Sequence, residues 1–548
     1  MTQQKVLKVH VKDNVIVALQ PFKIGDRLLF EGNEILIQED IDPKHKIFLN
    51  DMHSGDEITM YGVLVGKAQY FIPAGSLMTT ANTKHAASPY FYRPNHYQWQ
   101  PPDVSKFKDR TFNGYHRSDG RVGTANYWLF IPTVFCENRN LDVIKEALHN
   151  ELGYAVTDKY KRFTKTLVQA FKDGEDIKSV SLVPDGKNSH RDRPFKNVDG
   201  IKFLNHQGGC GGIRQDAAVL SKLLAAYAAH PNVGGVTVLS LGCQNLQVAD
   251  FKQDLKTLYP EFDKPLYIYE QQQSQSEEQL ISEAIQKTFE GLIEINKLER
   301  KPAGLEHLCL GVKCGGSDGF SGISANPAVG ACSDLLVALG GKVLLAEFPE
   351  LCGVEQELID RTVEESSAKK FIELMGLYNE AVTQAGSSFS MNPSPGNIKD
   401  GLITDAMKSA GAAKKGGSSP VVDVLNYTER ATKPGLSLVC TPGNDVEATT
   451  GKAASGATLI LFTTGLGTPT GNPVCPTIKV ATNSSLANRM ADIIDINCGP
   501  VIEGEKTIEE MGTEILEYCL KAASGEITPK AVLLNQDDFI PWKRGVSL

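Results

Sequence analysis

The chain has 548 residues, of which 41% are hydrophobic and 22% are charged, and its formal net charge is −9. This is the composition of an ordinary globular protein with room for about three or four domains. The acidic balance argues against a nucleic-acid groove, which needs a basic face, so a small anionic ligand has to be captured by local cations or by a metal.

The sequence shows no sign of secretion or membrane insertion. The first ten residues, MTQQKVLKVH, lack the apolar segment and cleavage site of a signal peptide, and no apolar run approaches the roughly 18 residues of a membrane helix. Eleven cysteines are an odd number, which fits no closed disulfide framework. We therefore expect a cytoplasmic chain whose cysteines are mostly free thiols.

Residues 1–90 have the pattern of short β-strands joined by tight turns. The runs VIVALQPF, DRLLF, EILIQ and KIFLNDM have strand length and are separated by glycine-containing turns, without a long amphipathic helix. The following residues 91–110 are rich in proline, tyrosine and glutamine and show no periodicity. We expect a small β-rich domain followed by a linker.

From about Tyr115 onward, predicted strands alternate with predicted helices. TANYWLFIPTVF, GGVTVLSLGC, LCLGVKCGG, KVLLAEFPE, LSLVCTPGN and TLILFTTGLG are buried-strand candidates, with helical stretches between them, including a long one over residues 354–382. This alternation predicts two α/β units with mainly parallel sheets, residues 111–300 and 301–548. The polar, basic segment 157–200 is expected to leave the core of the first of these units.

Open α/β sheets bind ligands at the carboxyl ends of their strands, and four glycine-rich turns there carry reactive side chains. The turns are LNHQGGCGG with His206 and Cys210, LGCQN with Cys243 and Asn245, KCGGSDGFSGISANP with Cys314, Ser317, Asp318 and Asn326, and AEFPELCGVEQE with Glu347, Glu350 and Glu355. A single cysteine on a turn is most often a small buried hydrophobe, and a single histidine is often a packed core imidazole.

The four turns together are stronger evidence for a ligand site than any one of them. No two cysteines form a C-x-x-C pair, which argues against a zinc ribbon or a thioredoxin-like motif. Cys210, Cys243 and Cys314 each end a separate predicted strand and could meet at one locus. Two outcomes stay open: thiolates binding a single iron ion, or an iron–sulfur cluster with an open iron.

Several enzyme classes lack their sequence fingerprint. The chain has no G-x-G-x-x-G after a strand with an acidic residue about twenty positions on and no G-x-x-x-x-G-K-[ST]. Nicotinamide-dependent enzymes and P-loop nucleotide hydrolases are therefore not supported.

The ordered motifs GRVGTANYWLFIPTVFC, HQGGCGG, LSLGCQN, CGGSDGFSGISANP, EFPELCGVEQ, MNPSPGN, TPGND, TTGLGTPTGNPVCPTIKVATN and DINCGPVIEGE closely resemble the altronate dehydratase and galactarate dehydratase family. The resemblance covers essentially the whole chain, and the N-terminal domain looks like the SAF domain of that family. Two motifs depart from the family pattern: H-x-H-N is TTAN at residues 79–82, with His85 downstream, and G-x-R-N is GTAN at residues 123–126.

The resemblance implies a metal-dependent hydro-lyase that dehydrates a sugar acid, D-altronate to 2-keto-3-deoxy-gluconate in the first instance. The alternatives are a galactarate dehydratase, a related lyase of the sulfolactate type, and a non-catalytic sugar-acid-binding protein. It also implies Fe²⁺, with Mn²⁺ as the substitute and an iron–sulfur cluster as the less favoured option. We expect a small-molecule substrate, no nucleic-acid or membrane partner, and a homodimer.

These implications lead to a set of candidate site residues. We expect Cys210, Cys243 and Cys314 to bind the metal. Catalysis is assigned to His206, Asp318 and Glu347. The substrate contacts are assigned to Asn126, Asn245, Ser317, Asn326, Asn392, Ser394 and Asp445.

Overall fold

A computed structural model describes residues 5–94, 97–155, 159–183 and 193–548. The N-terminal unit, residues 5–86, consists of β1 (Val6–Leu7), β2 (Val15–Ala18), β3 (Arg27–Phe30), β4 (Asn33–Leu36), β5 (Lys46–Phe48), β6 (Glu57–Met60), β7 (Val63–Ala68) and β8 (Thr83–His85). These strands form three small antiparallel sheets, in the orders β1-β2-β5, β3-β4 and β6-β7-β8. The predicted small β-rich domain is confirmed.

The N-terminal unit packs on the rest of the chain through buried polar contacts. The Lys44 ammonium lies 3.1 Å from the carboxylate of Asp318. The fully buried ammonium of Lys46 donates to the carbonyl of Gly401 at 2.7 Å. Burial lowers the pKa of Lys46 to about 7. Two lysines of one unit are thus embedded in another.

The linker has no helix or strand in its described residues, as expected, but it is held to the surface of the third unit. Arg93 pairs with Asp360 (Nε to Oδ1, 3.0 Å), and the indole of Trp99 donates to the hydroxyl of Ser418 at 3.2 Å. The linker therefore lies on the protein rather than free in solvent.

The second unit, residues 111–296, contains one four-stranded sheet. Its elements are β9 (Thr111–His116), β10 (Val122–Gly123), β11 (Tyr127–Pro132), α1 (Asn138–Glu151), α2 (Lys159–Asp173), β12 (Gly200–Phe203), α3 (Arg214–Ala228), β13 (Val233–Ser240), α4 (Val248–Leu258), β14 (Leu266–Glu270) and α5 (Glu277–Ile295). The sheet has the order β12-β11-β13-β14, and all its pairs are parallel.

The segment 157–200 is only partly described. Helix α2 is largely exposed, which agrees with the expected departure from the core. Residues 157–158 and 184–192 lie outside the described residues. Strand β15 (Lys301–Gly304) then pairs with β9 and carries the chain into the third unit.

The third unit, residues 305–548, is built on a seven-stranded parallel sheet of order β18-β19-β17-β16-β20-β21-β22. Its strands are β16 (Cys309–Cys314), β17 (Lys342–Ala346), β18 (Val421–Leu425), β19 (Gly435–Val439), β20 (Leu459–Thr464), β21 (Thr477–Ala481) and β22 (Ile496–Asn497). Its helices are α6 (Ala325–Ala338), α7 (Glu355–Asp360), α8 (Glu365–Gln384), α9 (Pro395–Lys399), α10 (Asp405–Ala413), α11 (Asp445–Ala454), α12 (Ser484–Arg489), α13 (Gly499–Glu503), α14 (Ile508–Ala523) and α15 (Lys530–Leu533). The predicted pair of α/β units with parallel sheets is confirmed.

One predicted helix is interrupted. The sequence suggested a single helical stretch over residues 354–382, whereas the structure has α7 and α8 with a break at residues 361–364. The buried guanidinium of Arg361 donates to the carbonyl of Ser419, and Thr362 forms a β-bridge with Val421. These contacts with the sheet edge replace helical hydrogen bonds at the break.

The last residues of the chain join the two α/β units. The backbone N–H of Leu548 donates to the carbonyl of Gly211 at 2.7 Å, and Lys202 pairs with Asp537 at 2.7 Å. The indole of Trp542 stacks on Tyr378. The tail therefore fixes the loop after β12 against the third unit. No helix in the described parts of the chain is both long and apolar enough to cross a membrane.

Replacing Gly291 by alanine is expected to destabilise the second unit by about 1–3 kcal/mol, because a methyl group there would lie 2.0 Å from the buried ring of Trp128. The matched control is Gly376→Ala in α8, where nothing lies within 4 Å of the added methyl group and the higher helix propensity adds about 0.8–1 kcal/mol. Thermal unfolding of both variants checks this. Equal melting temperatures for the two would contradict the packing described.

Candidate active site

The carboxyl ends of the central strands of the seven-stranded sheet surround a group of buried charges. We call it the lysine cluster; its members are Lys313, Cys314, Glu347, Glu350, Lys408, Lys415, Asp445 and Lys452. They come from β16, the turn after β17, helix α10 and the turn that follows it, and helix α11. Burying a charge is costly unless it is paired, so this concentration needs an explanation in its contacts.

Glu347 occupies the centre of the lysine cluster. One of its carboxylate oxygens contacts the ammonium of Lys313, and the other accepts from Lys452 at 3.2 Å. Lys313 also lies 3.0 Å from the carboxylate of Asp445. Lys313 and Lys452 reach Glu347 from different elements, β16 and α11, so the carboxylate is held by positive charge on both sides.

The backbone of Glu347 is in the left-handed region, with φ at 76°. The N–H of Glu347 donates to the hydroxyl of Thr441, and the next N–H, of Phe348, donates to the carbonyl of Thr441. A non-glycine residue pays on the order of 1–3 kcal/mol for such a conformation, and such residues concentrate at functional sites. The strain places the carboxylate between the two lysines.

A second set of contacts surrounds Glu350. Lys408 lies 2.8 Å from Glu350 and also donates to the side-chain oxygen of Asn392 at 2.9 Å. The ammonium of Lys415 donates to the sulfur of Cys314 at 2.9 Å, and that sulfur lies 4.0 Å from Glu350. A chain of polar contacts therefore runs from Lys415 through Cys314 to Glu350 and Lys408.

The lysine cluster has an excess of positive charge. Four ammonium groups face the three carboxylates of Glu347, Glu350 and Asp445, which leaves one positive charge when all are ionised. Asp445 is 30% exposed, so the cluster opens to solvent on that side. An uncompensated cation in a low-dielectric site attracts an anion, and a carboxylate fits it.

Two members of the cluster have pKa values close to neutrality. Burial raises the pKa of Glu347 to about 7, with Lys313 opposing. Burial lowers the pKa of Lys452 to about 8, with Glu347 opposing. Burial also pushes the pKa of Glu350 upward, but Lys408 and Lys313 outweigh it and hold that pKa well below its usual range. Glu347 and Lys452 are therefore suited to exchange protons near pH 7.

Four candidate residues from the sequence lie in or against the lysine cluster, namely Cys314, Glu347, Asn392 and Asp445. The lysines themselves were missed. Lys313 stands in an otherwise apolar strand, LGVKCGG, and Lys452 in a helix of small residues, TTGKAASG. A lysine inside an apolar run is the signal that could have identified them.

The other candidates have structural partners. Asp318 is fully buried, and its carboxylate accepts from Thr482 at 3.1 Å while it pairs with Lys44. Asn326 accepts from Thr463 and donates to the carbonyl of Gly411. The further placements are these: the carbonyl of Ser317 accepts from Asn397, the Ser394 hydroxyl caps α9, Asn126 donates to the carbonyls of Asn197 and Ile295, and the exposed Asn245 donates to Gly212.

His206 lies in the second unit with both ring nitrogens engaged. Its Nε2 donates to the carbonyl of Pro132 at 2.8 Å, and its Nδ1 accepts from the N–H of Gly208 at 3.0 Å. Burial lowers its pKa to about 4, so the imidazole is neutral. Both nitrogens therefore contact backbone groups, one of them in the loop that carries Cys210.

Cys210 and Cys243 follow strands of the four-stranded sheet, whereas Cys314 ends a strand of the seven-stranded sheet. A third cysteine accompanies the first two: Cys136 follows β11, Cys210 follows β12 and Cys243 follows β13, and all three are exposed. Burial and then the charges of Cys210 and Cys243 raise the pKa of Cys136, so Cys136 lies within electrostatic range of both other thiols. We call these three residues the cysteine trio.

The three loops that carry the cysteine trio are interlocked. The N–H of Phe135 donates to the carbonyl of Gly208, and the N–H of Asn245 donates to the carbonyl of Gly209. Gly209 has φ at 94°, and a Cβ there would lie 2.1 Å from the carbonyl oxygen of Thr133. Cys136 was not among the predicted metal ligands, although this cysteine also ends a predicted strand.

Comparison with known proteins identifies the family. The three units match the family models "Altronate/galactarate dehydratase SAF domain" over residues 4–86, "D-galactarate dehydratase/Altronate hydrolase, second domain" over residues 114–296, and "D-galactarate/Altronate dehydratase, C-terminal" over residues 305–547. The chain therefore belongs to the altronate/galactarate dehydratase family, as its motifs suggested.

Full-length relatives support the same assignment. The chain is 35% identical to altronate dehydratase of Bacillus subtilis (strain 168) and 33% identical to altronate dehydratase of Escherichia coli (strain K12), each over 99% of both chains. It is also 33% identical to galactarate dehydratase (L-threo-forming) of Escherichia coli (strain K12), over 95% of this chain and 93% of that one.

Proposed function

We propose, from its membership of this dehydratase family, that the chain is a hydro-lyase that removes water from a sugar acid, D-altronate, to give 2-keto-3-deoxy-gluconate. The observation that carries the proposal is the lysine cluster, a buried site with one excess positive charge and a proton-transfer pair. A single excess charge suits a monocarboxylate such as altronate better than a dicarboxylate such as galactarate. Galactarate is the second candidate because a galactarate dehydratase is equally similar in sequence.

The chemistry requires that a proton leaves the carbon next to the carboxylate and that the neighbouring hydroxyl departs as water. The α-proton is weakly acidic beside an ionised carboxylate, because its removal creates a second negative charge. The ammonium groups of Lys313, Lys408 and Lys415 would bind the carboxylate and stabilise that charge. Excluding bulk water from the cluster strengthens this effect.

Glu347 and Lys452 are the proposed proton carriers. Glu347, deprotonated above about pH 7, takes the α-proton, and Lys452, protonated below about pH 8, gives a proton to the departing hydroxyl. The 3.2 Å contact between them then returns the proton from Glu347 to the neutral Lys452. The enol product ketonises, and the pair is restored for the next turnover.

Iron is the proposed cofactor, and the cysteine trio fits it. Three exposed thiols at interlocked loops favour iron over manganese, which prefers oxygen ligands. Three thiols on interlocked loops after neighbouring parallel strands could hold an Fe²⁺ ion or an iron–sulfur cluster with an open iron. When bound, such a group supplies a Lewis acid that polarises a substrate oxygen.

The proposed reaction can be tested with anaerobically purified, iron-loaded protein and a panel of aldonates and aldarates, read by a 2-keto-acid assay. We expect turnover of altronate. Glu347→Gln should lower kcat by roughly 10²- to 10⁴-fold, the usual contribution of a general base, with little change in KM because the cluster keeps its positive charge. Glu447→Gln, on α11 but outside the cluster, is the control and should turn over normally.

Other outcomes of the panel revise the proposal. Turnover of galactarate alone would replace the substrate, and release of sulfite from a sulfolactate would replace the leaving group. Binding of sugar acids without turnover of any of them would show a binding protein.

The pH dependence of kcat/KM should be bell-shaped. The rate is expected to rise through about pH 7 as Glu347 loses its proton, and to fall above about pH 8 as Lys452 loses its proton. Substituting Lys452 by arginine, which keeps the charge but cannot give up its proton at these pH values, should lower kcat by roughly 10²- to 10⁴-fold. A flat profile from pH 6 to 9 would count against this pair.

The cofactor proposal predicts loss of iron when the trio is altered. Each of Cys136→Ser, Cys210→Ser and Cys243→Ser should lower the iron content, whereas Cys498→Ser, at a buried cysteine outside both sites, should not. Iron analysis after anaerobic purification measures this. Cys314→Ser separates the two sites: it should keep its iron and lose activity. Normal iron in Cys136→Ser would refute the trio as the ligand set.

A further inference from the structure

A second group of metal-ligating side chains lies between the N-terminal unit and the third unit. His85 ends β8, Cys352 follows the turn after β17, and Asp405 is the first residue of α10. One ligand atom from each of the three lies within 4.8 Å of the others, and among the described residues no other trio of histidine, cysteine and acidic side chains is as close. The residues come from three separate elements, so their convergence is a property of the fold.

Two polar atoms of these side chains are buried without a hydrogen bond of ordinary geometry. They are His85 Nδ1 and Asp405 Oδ2, and only the thiol of Cys352 interacts with the carboxyl of Asp405. Asp405 is 1% exposed overall. Buried polar atoms are nearly always satisfied, so two such atoms in a trio whose ligand atoms lie within 4.8 Å of one another indicate a missing common partner.

The surrounding backbone is tightly packed, so the three side chains are held in place. Gly353, with φ at 94°, lies between α10 and Ala87, two residues after β8; a Cβ there would be 2.8 Å from Ala406. The hydroxyl of Thr404 caps α10 and donates to the carbonyl of Val65 in the N-terminal unit at 2.7 Å.

We propose that His85, Cys352 and Asp405 bind a zinc-type divalent metal ion that ties the N-terminal unit to the third unit. Imidazole, thiolate and carboxylate are the three side-chain ligands of tetrahedral zinc. Bonds of about 2.0–2.3 Å at tetrahedral angles place ligand atoms about 3.3–3.8 Å apart, which small rotations from the present positions achieve. A water molecule or the nearby Glu355 completes the coordination.

The metal would act on the active site through the chain. Cys352 lies two residues after Glu350, and Asp405 lies three residues, or nearly one helical turn, before Lys408. Glu350 and Lys408 form the 2.8 Å ion pair of the lysine cluster. A filled site would therefore fix both partners of that pair, a positioning role that is separate from proton transfer.

The test uses the full-length chain with the cysteine trio changed to serine, which removes the other thiol site. After removal of metals with a chelator, Co²⁺ and Zn²⁺ are added. We expect one equivalent to bind, with the intense visible bands of tetrahedral cobalt and a thiolate-to-cobalt charge-transfer band, and we expect the melting temperature to rise on binding.

Cys352→Ser should remove the charge-transfer band, and His85→Gln should remove tight binding and the rise in melting temperature. Cys498→Ser and His53→Gln, at positions outside the site, are the matched controls and should keep both. A melting transition of each metal-free variant shows whether that variant is folded. If one variant does not fold, the result of the other variant tests the proposal.

Retention of the cobalt spectrum and of the rise in melting temperature in Cys352→Ser and His85→Gln would overturn the proposal, as would failure of the parent to bind one equivalent. These readouts are independent of turnover, so they do not depend on the proposed dehydration.

Discussion

The position of Glu347 between Lys313 and Lys452 is the interaction on which the rest of the site depends. A carboxylate and two ammonium groups, all fully buried, exist together only because each compensates another. The strained backbone at Glu347, held by Thr441, puts the carboxylate at that point. The remaining charges are then arranged around it: Asp445 on Lys313, and Glu350 with Lys408 on the opposite side.

The fold was largely predictable because its determinants are local. Apolar runs of strand length, glycine turns and helical periodicity gave the β-rich domain and both parallel sheets in the right order. The break between α7 and α8 was not predictable, because it depends on contacts of Arg361 and Thr362 with a distant strand. Local propensity has no information about such tertiary contacts.

The site was predictable only in part, for a physical reason. Reactive side chains at strand ends pointed to the sheet edge where the lysine cluster lies, and Glu347, Asp445 and Cys314 belong to that cluster. The sequence does not say how the sheet edges of the two units lie relative to one another, and Cys314 was therefore grouped with Cys210 and Cys243 of the other unit. Lysines such as Lys415 were missed because a lysine is normally exposed, and only the folded structure shows its burial.

The contact between Lys44 and Asp318 determines whether the N-terminal unit can be exchanged for that of another protein. Asp318 is fully buried in the third unit, and its positive partner belongs to the N-terminal unit, 3.1 Å away. Without that partner, only the hydroxyl and amide donors of Thr482 and Asn483 and local groups would remain around a buried negative charge. The N-terminal unit is consequently not an interchangeable module: a replacement taken from another protein must supply a cation at the same place, so the two units are under pressure to change together.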